Sequence, residues 1–151
     1  MFLKLKMNIF TDYPQVEYYG LFLDEESEFR LRQISALGHT DTNKPFHVTL
    51  IHRSQKNLSS EQEKLISEFI LENYEREFEL EVNLFKYSPK GSMFEVIFPP
   101  ELDFLSFINP NITSGVASGF YPIQVPTLLS RNYKKKAVCE KINVTLNSFS
   151  N

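Results

Sequence analysis

A histidine and a threonine stand two residues apart in the run Pro45-Phe46-His47-Val48-Thr49-Leu50-Ile51-His52-Arg53. Alternate residues of a strand point to the same face. His47 and Thr49 therefore look out together from an otherwise apolar strand. A ring nitrogen beside a hydroxyl can hold two oxygens of one phosphate, and the imidazole can also move a proton near neutral pH. By the same parity His52 falls on the face opposite His47, which marks it as structural or surface-facing. Arg53, at the strand end, is a candidate phosphate contact.

A second stretch, Asn109-Pro110-Asn111-Ile112-Thr113-Ser114-Gly115, has the same spacing, with Asn111 where a histidine would stand. An asparagine amide donates and accepts hydrogen bonds but is neither an acid nor a base near pH 7. Asn143-Val144-Thr145-Leu146 repeats the pattern in a competing register. The Asn-Pro before Asn111 and the glycine and prolines after Thr113 favour the earlier one. The candidate phosphate-handling set is thus His47, Thr49, Asn111 and Thr113. Arg131-Asn132-Tyr133-Lys134-Lys135-Lys136 is the concentrated basic run. Lys134, Lys135 and Lys136 can track an RNA backbone, and Tyr121 can stack a base. Against this stands a formal net charge of −3, which makes a solvated loop the plainer reading of the lysines.

The elements that must position these residues alternate along the chain. Residues 18–23 read as a buried strand. Asp24 caps a helix with Glu25 and Glu26 in its first turn, Phe29, Leu31 and Ile34 on its apolar stripe, and Gly38 as its stop. A polar loop runs from His39 to Lys44, and the His47 strand covers 46–52. Ser59 or Ser60 starts a second helix whose apolar face is Leu65, Ile66, Phe69, Ile70 and Tyr74. Residues 78–85 alternate with period two, turn at 89–92, and pair with a strand over 93–98. A short helix over 101–107, a short strand over 111–115, a loop over 119–126 and a last strand through 142–146 complete the pattern. Strands alternating with helices and then hairpins predict an α+β fold with helices packed on antiparallel sheet.

The extended match around His47 and the in-frame stretch at Asn111 resemble the two-histidine (2H) phosphoesterase superfamily. Within it they resemble the cyclic phosphodiesterase domain of fungal tRNA ligases. The resemblance implies an α+β, bilobal fold of 2H-phosphoesterase type, with antiparallel sheets facing a central cleft and helices outside. It implies that His47 and Thr49 from one lobe, and Asn111 and Thr113 from the other, meet on one phosphate. In that family one histidine takes a proton from water while the other protonates the leaving ribose oxygen. With Asn111 in the second place, the implied function is binding of RNA, as tRNA ends or a 2′,3′-cyclic phosphate, with weak or absent hydrolysis. An immunity role against a tRNA-cleaving toxin is one use of such a protein, which makes RNA or a ribonuclease toxin the expected partner. An active 2′,3′-cyclic phosphodiesterase and a protein-interaction module with a vestigial cleft are the alternatives.

Composition sets the remaining bounds. A chain of 151 residues with 42% hydrophobic residues suits one domain over 1–151 with a phenylalanine-rich core. The single cysteine, Cys139, allows no internal disulfide and no thiolate metal cluster. No Gly-rich phosphate loop and no zinc spacing occurs, so no cofactor or metal is expected. Lysines interrupt the apolar residues of 1–7, and no segment has the length of a membrane span. The expected location is cytoplasmic.

Overall fold

The computed structural model describes residues 8–35 and 45–150. The chain runs β1 (Val16–Leu23), α1 (Glu25–Ser35), β2 (His47–His52), α2 (Ser60–Asn73), β3 (Glu77–Ser88), β4 (Gly91–Ile97), a 3-10 helix (Pro100–Ile108), β5 (Asn111–Val116), a short 3-10 turn (Pro122–Gln124), α3 (Val125–Leu128) and β6 (Lys134–Ser150). The α+β expectation holds. The order strand–helix–strand–helix–strand occurs twice, once up to β3 and once from β4 onward.

The two halves share one continuous six-stranded sheet, in the order β2-β1-β6-β3-β4-β5, with the pairings antiparallel. The last strand of each half pairs into the other half: β6 lies against β1 as well as β3. This exchange locks the halves together. The sheet curls until its outermost strands, β2 and β5, come into contact.

Sequence patterning explains the elements. Phe78, Leu80 and Val82 of β3 are buried while Glu77, Glu79 and Glu81 are exposed, the alternation of a half-buried strand. The Asp24 side chain accepts a hydrogen bond from the Ser27 amide at 2.8 Å and caps α1. Hydrogen bonds from Ser27 hold the Asp24 carboxyl below the usual carboxylate range. Buried Ser27 in turn accepts from the Asn143 amide at 3.0 Å, which ties α1 to β6. Ser59 and Gln62 form a reciprocal capping box at the start of α2. Phe46, Phe85, Phe94, Leu80, Ile112 and Leu146 lie in the core between the sheet and its helices.

Several sequence expectations need correction. Phe29 is 61% exposed, and α1 packs through Leu31 and the small Ser27 and Ser35 instead. Leu65 and Tyr74 are partly exposed, and α2 buries Ile66, Phe69 and Ile70. The segment over 101–107 is a 3-10 helix, whose three-residue repeat buries Leu102 and Leu105. The basic run is loop only over 131–133, and Lys134, Lys135 and Lys136 begin β6. Gly38 and the 39–44 loop, with His39, lie outside the described residues. Among the described residues no helix is long and apolar enough to cross a membrane.

β2 and β5 carry the same irregularity. Along β1, Tyr19 pairs with Ile51 and the next residue, Gly20, with Thr49, so Leu50 is an extra residue. Along β4, Ser92 pairs with Gly115 and Met93 with Thr113, so Ser114 is extra. In both strands the bulge comes one residue after the threonine. Both have the same burial sequence: half-buried, buried, half-buried, buried, buried, half-buried. A bulge leaves one residue unpaired and re-aims those beyond it.

Candidate phosphate-binding groove

A groove of about 890 Å³ opens where β2 and β5 meet. His47, Thr49, Asn111 and Thr113 all line it, joined by Tyr18 of β1 and by His52. The segment after β2, with Ser54 and Lys56, forms one wall, and Tyr121 and Ile123 stand on another. Such a volume falls in the range of about 300–1,000 Å³ typical of small-molecule sites.

The two strand-leading residues are anchored alike. Nδ1 of His47 lies 2.8 Å from the Pro45 carbonyl oxygen. A carbonyl only accepts, so Nδ1 carries the hydrogen and the neutral ring has its lone pair on Nε2. Nδ2 of Asn111 donates to the Asn109 carbonyl at 3.1 Å, again two residues back. The amide thus takes up, from the other half of the sheet, the bond that the imidazole makes from the first.

The His47 ring is held between aromatic neighbours. Its centroid is 4.7 Å from Tyr18 at an interplanar angle of 21°, and 5.2 Å from Phe22. Tyr18 and Phe22 flank Gly20 on the same face of β1. A Cβ at Gly20 would lie 2.6 Å from the Val48 carbonyl oxygen and 3.6 Å from Cδ2 of His47. Only a residue without a side chain lets β2 approach this closely.

The structure overturns the parity argument for His52. The extra residue at Leu50 returns His52 to the His47 face, and it lines the groove. The Ser54 amide donates to Nδ1 of His52 at 3.1 Å, and Ser54 Oγ lies 2.9 Å from the same nitrogen. An amide only donates, so the neutral His52 ring carries its hydrogen on Nε2. Tyr18 stacks on this ring too, at 5.9 Å and 19°. The Tyr18 side chain is 7% exposed, and its hydroxyl finds no hydrogen-bond partner among the described residues. Burial, aided by the Glu17 charge, pushes its pKa up to about 12, so it remains a donor at neutral pH.

The other candidates are placed less centrally. Arg53 does not line the groove. Its guanidinium donates to the carbonyls of Val16 at 2.8 Å, Tyr13 at 3.0 Å and Phe10 at 3.2 Å, and lies over the Phe10 ring. Those bonds, made by Nε and Nη2, pin the segment leading into β1. Lys134, Lys135 and Lys136 pair along β3 with Tyr87, Lys86 and Phe85, and none lines the groove. Tyr121 does line it and is 72% exposed. Asn143, the competing register, sits on β6 between β1 and β3 and is not a groove residue. Lys56 is the one lysine or arginine among the lining residues, and Glu17 sets a carboxylate nearby. Among the described residues no cluster of His, Cys, Asp or Glu is arranged to hold a metal.

Spacing and residue type do not mark Gly20 and Tyr18 as site residues. A glycine inside a strand does signal close backbone approach. Nothing in residue types announces the bulge that turns His52.

No protein-family model matches this chain, and no curated protein matches it. Among solved structures the fold is similar to that of a fungal RNA kinase, with a TM-score of 0.52 and 12% sequence identity. The match covers 90% of this chain and 42% of the kinase chain, so this protein spans less than half of that one's length. At this identity the likeness is one of fold.

Proposed function

We propose that the groove is a phosphate site of the two-histidine phosphoesterase type in which an amide has replaced one imidazole, and that it binds the 2′,3′-cyclic phosphate end of an RNA. One observation carries this reading. His47 and Asn111 are each bonded to the carbonyl two residues earlier, are each followed by a threonine on the groove face, and each precede a matching bulge. Two such strand motifs meeting in one groove surround a phosphate with an imidazole, an amide and two hydroxyls. The shared fold with an RNA kinase supports RNA as the carrier of that phosphate. Nothing in the groove's chemistry selects a ribonuclease toxin, whereas His47, Thr49, Asn111 and Thr113 all suit a phosphate.

Opening a cyclic phosphate with water requires two proton transfers. The attacking water gives up a proton, and the leaving ribose oxygen takes one. The Nε2 lone pair of His47 can take the first. The second needs an acid on the opposite side, where Asn111 offers only an amide. Loss of such a group lowers a rate by about 10²–10⁴-fold. Binding needs donors rather than a titrating proton, and survives the replacement.

Fluorescence anisotropy with an oligonucleotide ending in a 2′,3′-cyclic phosphate tests the reading. A hydrogen bond to a charged group contributes about 1.5–3 kcal/mol, or roughly 10–100-fold in affinity. His47→Ala and Thr113→Ala should each weaken binding by that order. Equal affinity in wild type and both variants, or no binding by the wild type, contradicts the proposal.

A further inference from the structure

The groove is not symmetric, although the fold that builds it nearly is. The residue of β5 that corresponds to His52 is Val116, the last of its strand. His52 lines the groove, whereas Val116 packs against Met93, Val125 and Leu129 and does not. At the His52 end stand Ser54 and Lys56 as well. The Ser54 amide fixes the neutral His52 tautomer with Nε2 as the donor. Tyr18, whose buried hydroxyl lacks a partner among the described residues, stacks on both imidazoles, at 4.7 Å from His47 and 5.9 Å from His52. The centres of the two imidazoles are thus no further apart than those two separations combined, a gap that one nucleotide can bridge. A single phosphate held by His47, Thr49, Asn111 and Thr113 leaves this end of a groove of about 890 Å³ unused.

We infer that His52, with the Tyr18 hydroxyl and Lys56, forms a second anion position for the internucleotide phosphate of an RNA strand whose terminal phosphate occupies the His47–Asn111 position. The inference rests on the phosphate-site reading above and adds the minimum length and the direction of the ligand. The strand leaves the terminal position past Tyr18 towards the end of β2, because His52 and the one lining lysine, Lys56, belong to that segment. Mononucleotides fill half of the site, and dinucleotides fill it.

The test compares adenosine 2′,3′-cyclic phosphate with a dinucleotide ending in the same cyclic phosphate, by titration calorimetry on the full chain. Wild type should bind the dinucleotide at least about tenfold more tightly, the contribution of one hydrogen bond to a charged group. In His52→Ala that ratio should collapse towards one. Tyr18→Phe, which keeps the ring stack and removes only the hydroxyl, should lower the ratio as well. A wild-type ratio near one, or an unchanged ratio in both variants, overturns the second position. The underlying phosphate-site reading fails separately, if His47→Ala binds the mononucleotide as well as wild type does. Absence of binding by either ligand overturns both.

Discussion

Replacing Gly20 with alanine tests how the first half of the groove is built. The added Cβ would lie 2.6 Å from the Val48 carbonyl oxygen, whereas ordinary contact begins at 3.4 Å. The two must separate by 0.8 Å, the difference between those distances. The obstacle is backbone, so no rotamer change relieves it. Either β2 moves off β1 or the ladder beside the Leu50 bulge breaks. Overpacking of this kind costs about 1–3 kcal/mol. For a chain of this size each kcal/mol lowers Tm by about 2–4 °C, so a fall of roughly 2–12 °C is expected. The same displacement shifts His47 and Thr49 relative to Asn111 and Thr113. It exceeds the tolerance of about 0.5 Å within which a binding constellation works. Affinity for a cyclic-phosphate RNA end should therefore fall along with Tm. Thermal unfolding by circular dichroism and anisotropy titration read the two effects. Gly91→Ala meets the Gly115 carbonyl oxygen at the longer distance of 3.0 Å and should cost less. A Gly20→Ala protein with wild-type Tm and wild-type affinity refutes the close approach of β1 and β2.

Three further changes probe other parts of the structure. Tyr18→Phe removes a buried hydroxyl that lacks a partner among the described residues and should stabilise the fold by up to about 1–3 kcal/mol in chemical denaturation. Its advantage should grow as pH rises from 10 to 12, because the unfolded tyrosine ionises near 10 while the folded one holds its proton to about 12; an advantage that shrinks with pH contradicts the burial argument. The buried Oγ atoms of Ser92 and Ser114 lie 2.7 Å apart, so Ser114→Ala should cost about 1–3 kcal/mol by stranding Ser92, and the double alanine variant less than the sum of the singles in a denaturation cycle. Arg53→Ala loses three bonds to carbonyls and should lower Tm while leaving RNA-end affinity near wild type, whereas a large loss of affinity at unchanged Tm would return Arg53 to the site.

Much of this architecture is legible from local patterning. The period-two run of β3, the Asp24 and Ser59 caps and the helix over 60–73 follow from residue types that act on their neighbours. That His47 and Asn111 share one groove accords with the spacing common to their two strand motifs. Non-local geometry is what sequence conceals. His52 lies on the wrong face by counting, and only the register of β2 against β1 reveals the extra residue at Leu50. The lysines of 134–136 look like a loop because polar residues also occupy exposed strands; their pairing with β3 decides the matter. Arg53 reads as a phosphate contact by type, and its bonds to the carbonyls of Phe10, Tyr13 and Val16 are long-range in sequence. Phe29 fits a helical stripe by spacing, yet the sheet beneath α1 leaves it outside.

In the proposed site Asn111 occupies the place of a proton-transfer group opposite His47. Asn111→His supplies that group. Hydrolysis of an oligonucleotide 2′,3′-cyclic phosphate should rise by about 10²–10⁴-fold over wild type, and a further His47→Ala change should abolish the gain. An Asn111→His protein that folds, binds the cyclic-phosphate end and hydrolyses it no faster than wild type would contradict the account.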